Sequence, residues 1–178
     1  MFIINLLKAY IRFAIFATGI LIGIQVPSFV DQYAKRIDAH YQEVSFNISG
    51  FQKTANSLFG GDLEALIAYY DGSNDTVFRS DSESIRLITD RYYRLENERL
   101  ALGHNALVVA MHVLFAADQE FFQETLEQYT YTVPLNSIAI EWGLAIGIFS
   151  ILIIDLLYFG CTRFYKLVSR RKAGMSVN

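Results

Sequence analysis

The chain has 178 residues, 53% of them hydrophobic and 19% charged, with a formal net charge of −3. That is one domain's length, or one small domain plus its anchors. A single cysteine, Cys161, excludes a disulfide within the chain, and an acidic balance gives no footing for nucleic-acid binding.

A mean hydropathy of +0.27 is high for a water-soluble chain with this much charge, and the apolar residues sit in two blocks at the ends. The first runs from Phe2 to Val26 and is cleanest over the 14 residues from Phe13. At helical rise that clean run covers roughly 21 Å, against a hydrocarbon core of about 30 Å. A spanning helix must therefore reach back through Arg12 towards Lys8, whose heads snorkel to the interface or find a partner. A cleavable signal peptide is the rival reading, but no small-x-small site follows the apolar stretch before Gln25-Val26-Pro27. Residues 1–26 are expected to form a cytoplasmic N-terminus and a first transmembrane helix.

Residues 27–136 are expected to form an all-α domain. From Val30 to Leu58 the apolar residues fall on a heptad grid: Val30, Ile37, Val44, Phe51 and Leu58 form one set, Ala34, Tyr41, Ile48 and Ala55 the other. This predicts a coiled-coil-like helix of roughly 45 Å, with Pro27 in its first turn or at a kink. Gly60-Gly61 should end it. A short helix over 62–70 follows, then the turn cluster Asp71-Gly-Ser-Asn-Asp75. Ser80 and Glu83 have capping-box spacing and should open a third helix, with a seam of Ile85, Ile88, Tyr92, Leu95 and Leu102 and Arg99 as its polar intruder. After Gly103-His104-Asn105 a fourth helix is expected to carry Leu107, Met111, Leu114, Phe115, Phe122, Leu126 and Tyr129, ending at Thr132-Val-Pro134. Its stretch from Ala106 to Ala117 is apolar but too short to cross a bilayer, and reads as a buried helix. The sum is an antiparallel helical bundle.

The second block, Ile138 to Cys161, is long enough to span and contains Asp155; residues 137–162 are the second expected transmembrane helix and 163–178 a basic tail. Trp142, Tyr10, Tyr158 and Tyr165 fall near the ends of the spans, where an aromatic belt sits. Lys8 and Arg12 flank the first span, and Arg163, Lys166, Arg170, Arg171 and Lys172 follow the second. Between Pro27 and Asn136 lie eight basic and sixteen acidic residues, a net charge of 8 − 16 = −8. Lys and Arg gather on the cytoplasmic side, so both termini are expected inside and the middle outside, in the periplasm of a Gram-negative cell.

Counted inward from Val26 and Ile138 at helical rise, Arg12 lies roughly 21 Å deep, Asp155 roughly 25 Å and Lys8 roughly 27 Å. An antiparallel pair would set Asp155 between the two cations, as a structural ion pair or as part of a proton or ion pathway. Gly19-Ile-Leu-Ile-Gly23 and Gly143-Leu-Ala-Ile-Gly147 share the GxxxG spacing that lets helix backbones approach, within one chain or between chains. His40, His104 and His112 lack ligand partners at metal-binding spacing, and Gly60-Gly61 lacks the lysine of a phosphate-binding loop. No catalytic, cofactor-binding or metal-ligating residue is assigned, no cofactor is expected, and the chain is not expected to be an enzyme.

The residues Pro27-Ser-Phe-Val-Asp-Gln-Tyr33, Arg36, Ala39-His40, Gly50-Phe51-Gln52, Phe59-Gly-Gly61, Leu66 through Tyr70 and Val77-Phe78 give the chain its likeness to known sequences. On them it resembles a family of uncharacterised two-span inner-membrane proteins of gammaproteobacteria, a domain of unknown function. The resemblance covers most of the chain, is densest from Pro27 to Phe78, and implies a bacterial inner membrane and no particular activity. The expected function is that of a non-enzymatic accessory or scaffolding protein, held to the lipid bilayer and packing with itself as a homo-oligomer or with a membrane-protein partner. The alternatives are a periplasmic sensor or ligand-binding module signalling through a partner, and a component of an ion or proton pathway in an oligomer.

Overall fold

The computed structural model describes the backbone of residues 2–132 and 136–175, and side chains at residues 3, 5–132 and 136–163. Among the described residues there are six helices and no strand: α1 Phe2–Leu58, α2 Leu63–Asp71, α3 Thr76–Ala101, α4 Ala106–Phe115, α5 Gln119–Glu127 and α6 Ser137–Met175. They form two compact units. Unit 1 is built from the two ends of the chain, up to Ser28 and from Thr130, and unit 2 from Phe29–Tyr129.

Unit 1 pairs the first part of α1 with α6. Both helices contain stretches long and apolar enough to cross a membrane. Only 11% and 6% of their most apolar windows are buried, so neither is packed as a core helix within this chain. The pairs Lys8 with Tyr158, Arg12 with Asp155 and Gly23 with Gly143 run in opposite chain directions, so the two helices are antiparallel. Pro27 lies inside α1, which continues through it; the missing N–H withdraws the donor that would otherwise meet the Gly23 carbonyl. Asn136 opens α6 by accepting the Ala139 amide at 2.8 Å. Val133 and Pro134, expected to close the previous helix, lie outside the described residues, as do the side chains of Tyr165, Lys166, Arg170, Arg171 and Lys172.

In unit 2, α1 ends where the glycine pair demands. Gly60 and Gly61 take φ of +61° and +90°, and the Gly61 amide returns to the Ala55 carbonyl at 3.0 Å. Asp62, Asp75, Asn105 and Asp118 cap α2, α3, α4 and α5, each side chain accepting amides of the first turn. α3 therefore starts four residues before Ser80, because the turn cluster supplies its own cap, with Asp75 accepting the Val77 amide at 2.8 Å. The expected fourth helix is two helices, broken where Asp118 caps α5.

Eight of the nine heptad positions on α1 are buried or half-buried, but the grid omits Tyr33 and includes the exposed Leu58. Tyr33, Ile37, Val44, Ile48 and Ala55 are buried; Val30, Ala34, Tyr41 and Phe51 are half-buried, and Leu58 is 74% exposed. Tyr33, Val44 and Ala55 are eleven residues apart, as are Ile37 and Ile48. On a straight helix an eleven-residue repeat runs about 20° ahead over eleven residues and a heptad falls about 20° behind over seven, so the longer repeat drifts more slowly along the helix. α1 packs on the 26-residue α3 and on the shorter α2, α4 and α5. One cluster joins Tyr33, Ile37 and Val44 to Leu95, Val109, Val113 and Phe121, and a second joins Ile48 and Ala55 to Leu63 and Leu66. On α4, Val109, Ala110 and Val113 are buried while Leu107, Met111, Leu114 and Phe115 face outward, the reverse of the face expected.

Candidate functional site

In unit 1 the two GxxxG motifs lie against each other. A methyl group built on Gly23 would fall 2.7 Å from the Trp142 carbonyl oxygen and 2.8 Å from the Gly143 Cα. One on Gly19 would fall 3.0 Å from the Gly147 Cα, and one on Gly147 would meet the Phe16 ring at 2.9 Å. No side chain fits in these places, and the missing Cβ atoms let the helices approach backbone to backbone. All four glycines are thus engaged within one chain.

Further along the same pair, Arg12 Nη2 donates to Asp155 Oδ2 at 2.5 Å. Asp155 does not bridge two cations as the depth count implied. Lys8 donates instead to the Tyr158 hydroxyl at 3.2 Å, its ammonium 5.1 Å from the centre of that ring. One turn of α6 separates Asp155 from Tyr158, so each cation has its own acceptor on the same helix face.

The polar hub of unit 2 was not legible beforehand. Glu98 Oε1 accepts the Tyr33 hydroxyl at 2.5 Å and His112 Nε2 at 2.7 Å, with the Asp118 amide farther off at 3.4 Å. One carboxylate oxygen thereby ties α1, α3, α4 and the start of α5, and the acceptor fixes the His112 proton on Nε2. Tyr33 is fully buried. Burial first, and then the hydrogen bond to Glu98, push its ionisation well above the usual tyrosine range. Glu98 stood one residue before the polar intruder Arg99, and Tyr33 one before the grid position Ala34; the buried-face periodicity is the signal that would have found the tyrosine.

A second set of ties joins α1 to α5. Glu124 Oε2 meets Arg36 at 3.2 Å and His40 at 3.1 Å, and Arg36 also donates to Gln128. Arg94 pairs with Asp118 and Glu120 and lies over the Phe121 ring. Burial opposes the Arg94 charge, but the hydrogen bond to Glu120 and the charges of Asp118 and Glu120 together outweigh it and raise its pKa; that same hydrogen bond holds the Glu120 carboxyl below its ordinary value. Arg99, the expected intruder, donates to Asp38 at 2.9 Å and stacks on Tyr41, whose hydroxyl lies 3.2 Å from that of Tyr92. The tyrosine contact, helped by burial, drives Tyr92 ionisation upward.

The paired apolar helices, their spacing and the helical segment between them match a family profile described as a protein of unknown function (DUF2937) over residues 7–166. The chain belongs to the DUF2937 family. No curated protein and no solved structure matches it. The DUF2937 match takes in both halves of the glycine contact, the Arg12–Asp155 pair and all of unit 2. Among the described residues, no three of His, Cys, Asp and Glu converge as metal ligands would: His40 lies 3.1 Å from Glu124 and 3.9 Å from Glu43 on opposite ring nitrogens, His112 is turned to Glu98, and His104 is exposed.

Proposed function

We propose that this DUF2937 protein is a non-enzymatic accessory or scaffolding protein of a bacterial inner membrane, working through helix–helix association. The apolar parts of α1 and α6 cross the bilayer, both termini are cytoplasmic, and unit 2 stands in the periplasm. The asymmetry of charge supports the orientation: Lys8, Arg12 and Arg163 flank the apolar stretches, while the segment between them carries −8.

The observation that carries the reading is the pairing of the two helices. Their glycines close on each other and their charges pair, so the hairpin is complete in one chain and turns Leu21, Ile22, Leu144, Ile148, Phe149 and Leu152 outward. Those side chains offer a lipid-facing surface on which further transmembrane helices can pack. In unit 2, Glu98, Glu124, Arg94 and Arg99 are spent on ties between helices. That is the economy of a rigid spacer. Extraction in mild detergent tests it. The protein is expected in a complex larger than one chain, with a fixed second copy or partner; a lone monomer overturns the proposal.

One observation favours a second reading, a ligand-binding module. Tyr69, Tyr70, Gly72, Ser73, Asn74 and Phe78 line a cleft of about 470 Å³ where α2 turns into α3. A small molecule that raises the melting temperature of the intact protein, and fails to do so after Tyr70→Ala, would favour sensing over scaffolding.

A further inference from the structure

The polarity of α4 is inverted relative to a helix facing water. It has ten residues, none of them Asp, Glu, Lys or Arg. His112 is turned inward to Glu98, while Leu107, Val108, Met111, Leu114 and Phe115 are turned outward, Phe115 being 78% exposed. A surface helix ordinarily does the opposite. At roughly 15 Å, α4 is also half the length needed to cross a hydrocarbon core.

We propose that α4 is an interfacial helix whose outer face beds into the surface of the membrane that the apolar stretches cross, an inference that rests on the transmembrane reading above. Chain geometry favours lipid over a protein as the occupant. The Glu98 oxygen that takes His112 also takes Tyr33, only seven residues beyond Val26, the last residue of the first apolar run. At helical rise that is roughly 10 Å of chain. The other end of unit 2 returns to the same place, with the Tyr129 ring packed edge-on to Phe29 at 5.3 Å. The segment beyond it carries Tyr131, 74% exposed, a residue type that gathers at the head-group level. Along the chain, Tyr33 stands seven residues after the first apolar run and Tyr129 nine residues before Ile138, where the second begins. The outer face has no lysine or arginine, so apolar burial alone drives the contact, and neither anionic lipid nor low salt is required.

The test uses the full chain in phosphatidylcholine vesicles with acyl chains brominated near the head group, and reads tryptophan emission. Native Trp142 reports the apolar hairpin. Phe115→Trp, placed in a Trp142→Phe background, reports α4, with Leu107→Trp as a second variant should the first misfold. Phe46→Trp in the same background serves as the exposed reference, being 80% exposed on α1. The indoles at 115 and 107 are expected to be quenched by bromolipid to about the same extent as Trp142, with no change on adding anionic lipid or salt. The indole at 46 is expected to respond to aqueous acrylamide and not to bromine. Quenching of Trp142 without quenching at 115 and 107 overturns the inference and leaves the transmembrane reading standing. Absence of quenching at all sites overturns both. Emission at 115 shielded from bromolipid and from acrylamide alike means that a protein covers the face, and also overturns it.

Discussion

Replacing Gly23 by alanine is the sharpest perturbation of the hairpin. The new Cβ would stand 2.7 Å from the Trp142 carbonyl oxygen, 2.8 Å from the Gly143 Cα and 3.0 Å from the Ile146 Cβ. Two of these neighbours are backbone, so no rotamer relieves them. Carbon atoms prefer about 3.5–4.0 Å, and α6 must move away by roughly 1 Å. Overpacking of this kind costs about 1–3 kcal/mol, offset by the roughly 0.5–1 kcal/mol that alanine gains over glycine inside a helix. The expected net loss is about 0.5–2 kcal/mol. Gly160→Ala is the internal control, because a methyl group there meets nothing within 4 Å and should be neutral or slightly stabilising. The assay is unfolding of the full chain in mixed micelles by added dodecyl sulfate, followed by the fluorescence of Trp142, whose own carbonyl is the nearest clashing atom. Gly23→Ala and Gly143→Ala should unfold at a lower dodecyl sulfate fraction than the parent, and Gly160→Ala should not. If Gly23→Ala unfolds at the parent's midpoint or above it, the backbone contact is not what joins the helices.

Three further outcomes follow from the polar ties. Arg12→Ala and Asp155→Ala should each destabilise the hairpin more than their combination, since either alone leaves an unpaired charge; the double-mutant cycle should give a coupling of about 0.6–2 kcal/mol, and a coupling near zero would refute the pair. Glu98→Ala orphans the Tyr33 hydroxyl and His112 at roughly 1–3 kcal/mol each, whereas Tyr33→Phe removes one donor for about 1 kcal/mol; thermal melting should rank them in that order. Glu120, held below its ordinary 4.5 by Arg94, contributes stability that is fully present above that value and lost as pH falls through the folded-state pKa. Because the carboxylate is 41% exposed the effect stays under about 1 kcal/mol. Carbon-13 titration of the Glu120 carboxyl should show its midpoint rising towards 4.5 in Arg94→Gln.

What the sequence revealed, it revealed through local physics. Gly60-Gly61 stops α1 because only glycine accepts those φ values at no cost, and Asp62 starts α2 because its side chain reaches the free amides next to it. Two long apolar runs stand out by composition alone, and their GxxxG spacings foreshadowed a contact without naming its partner. What failed depended on tertiary packing. The heptad grid took Leu58 and passed over Tyr33, because a run of apolar residues fits seven nearly as well as eleven until the neighbours are known. The face of α4 was misjudged because its residues are nearly all apolar and periodicity has no contrast to work with. Asp118 hid as one acidic residue among others, although it both caps α5 and breaks the expected fourth helix. Glu98 resembled any solvated carboxylate of a mixed-charge helix until α1 and α4 closed over it.

The contact between Phe29 and Tyr129 has a bearing on ancestry and on engineering. A block of 101 residues whose first and last rings touch fills a gap that a tight loop could bridge. Such a block can be cut out, exchanged or transplanted at one seam without stretching the polypeptide on either side. A shortened chain in which a few glycines join residue 28 to residue 130 would retain the glycine-matched hairpin as a miniature, and the excised block would be free to serve as a cartridge on another anchor.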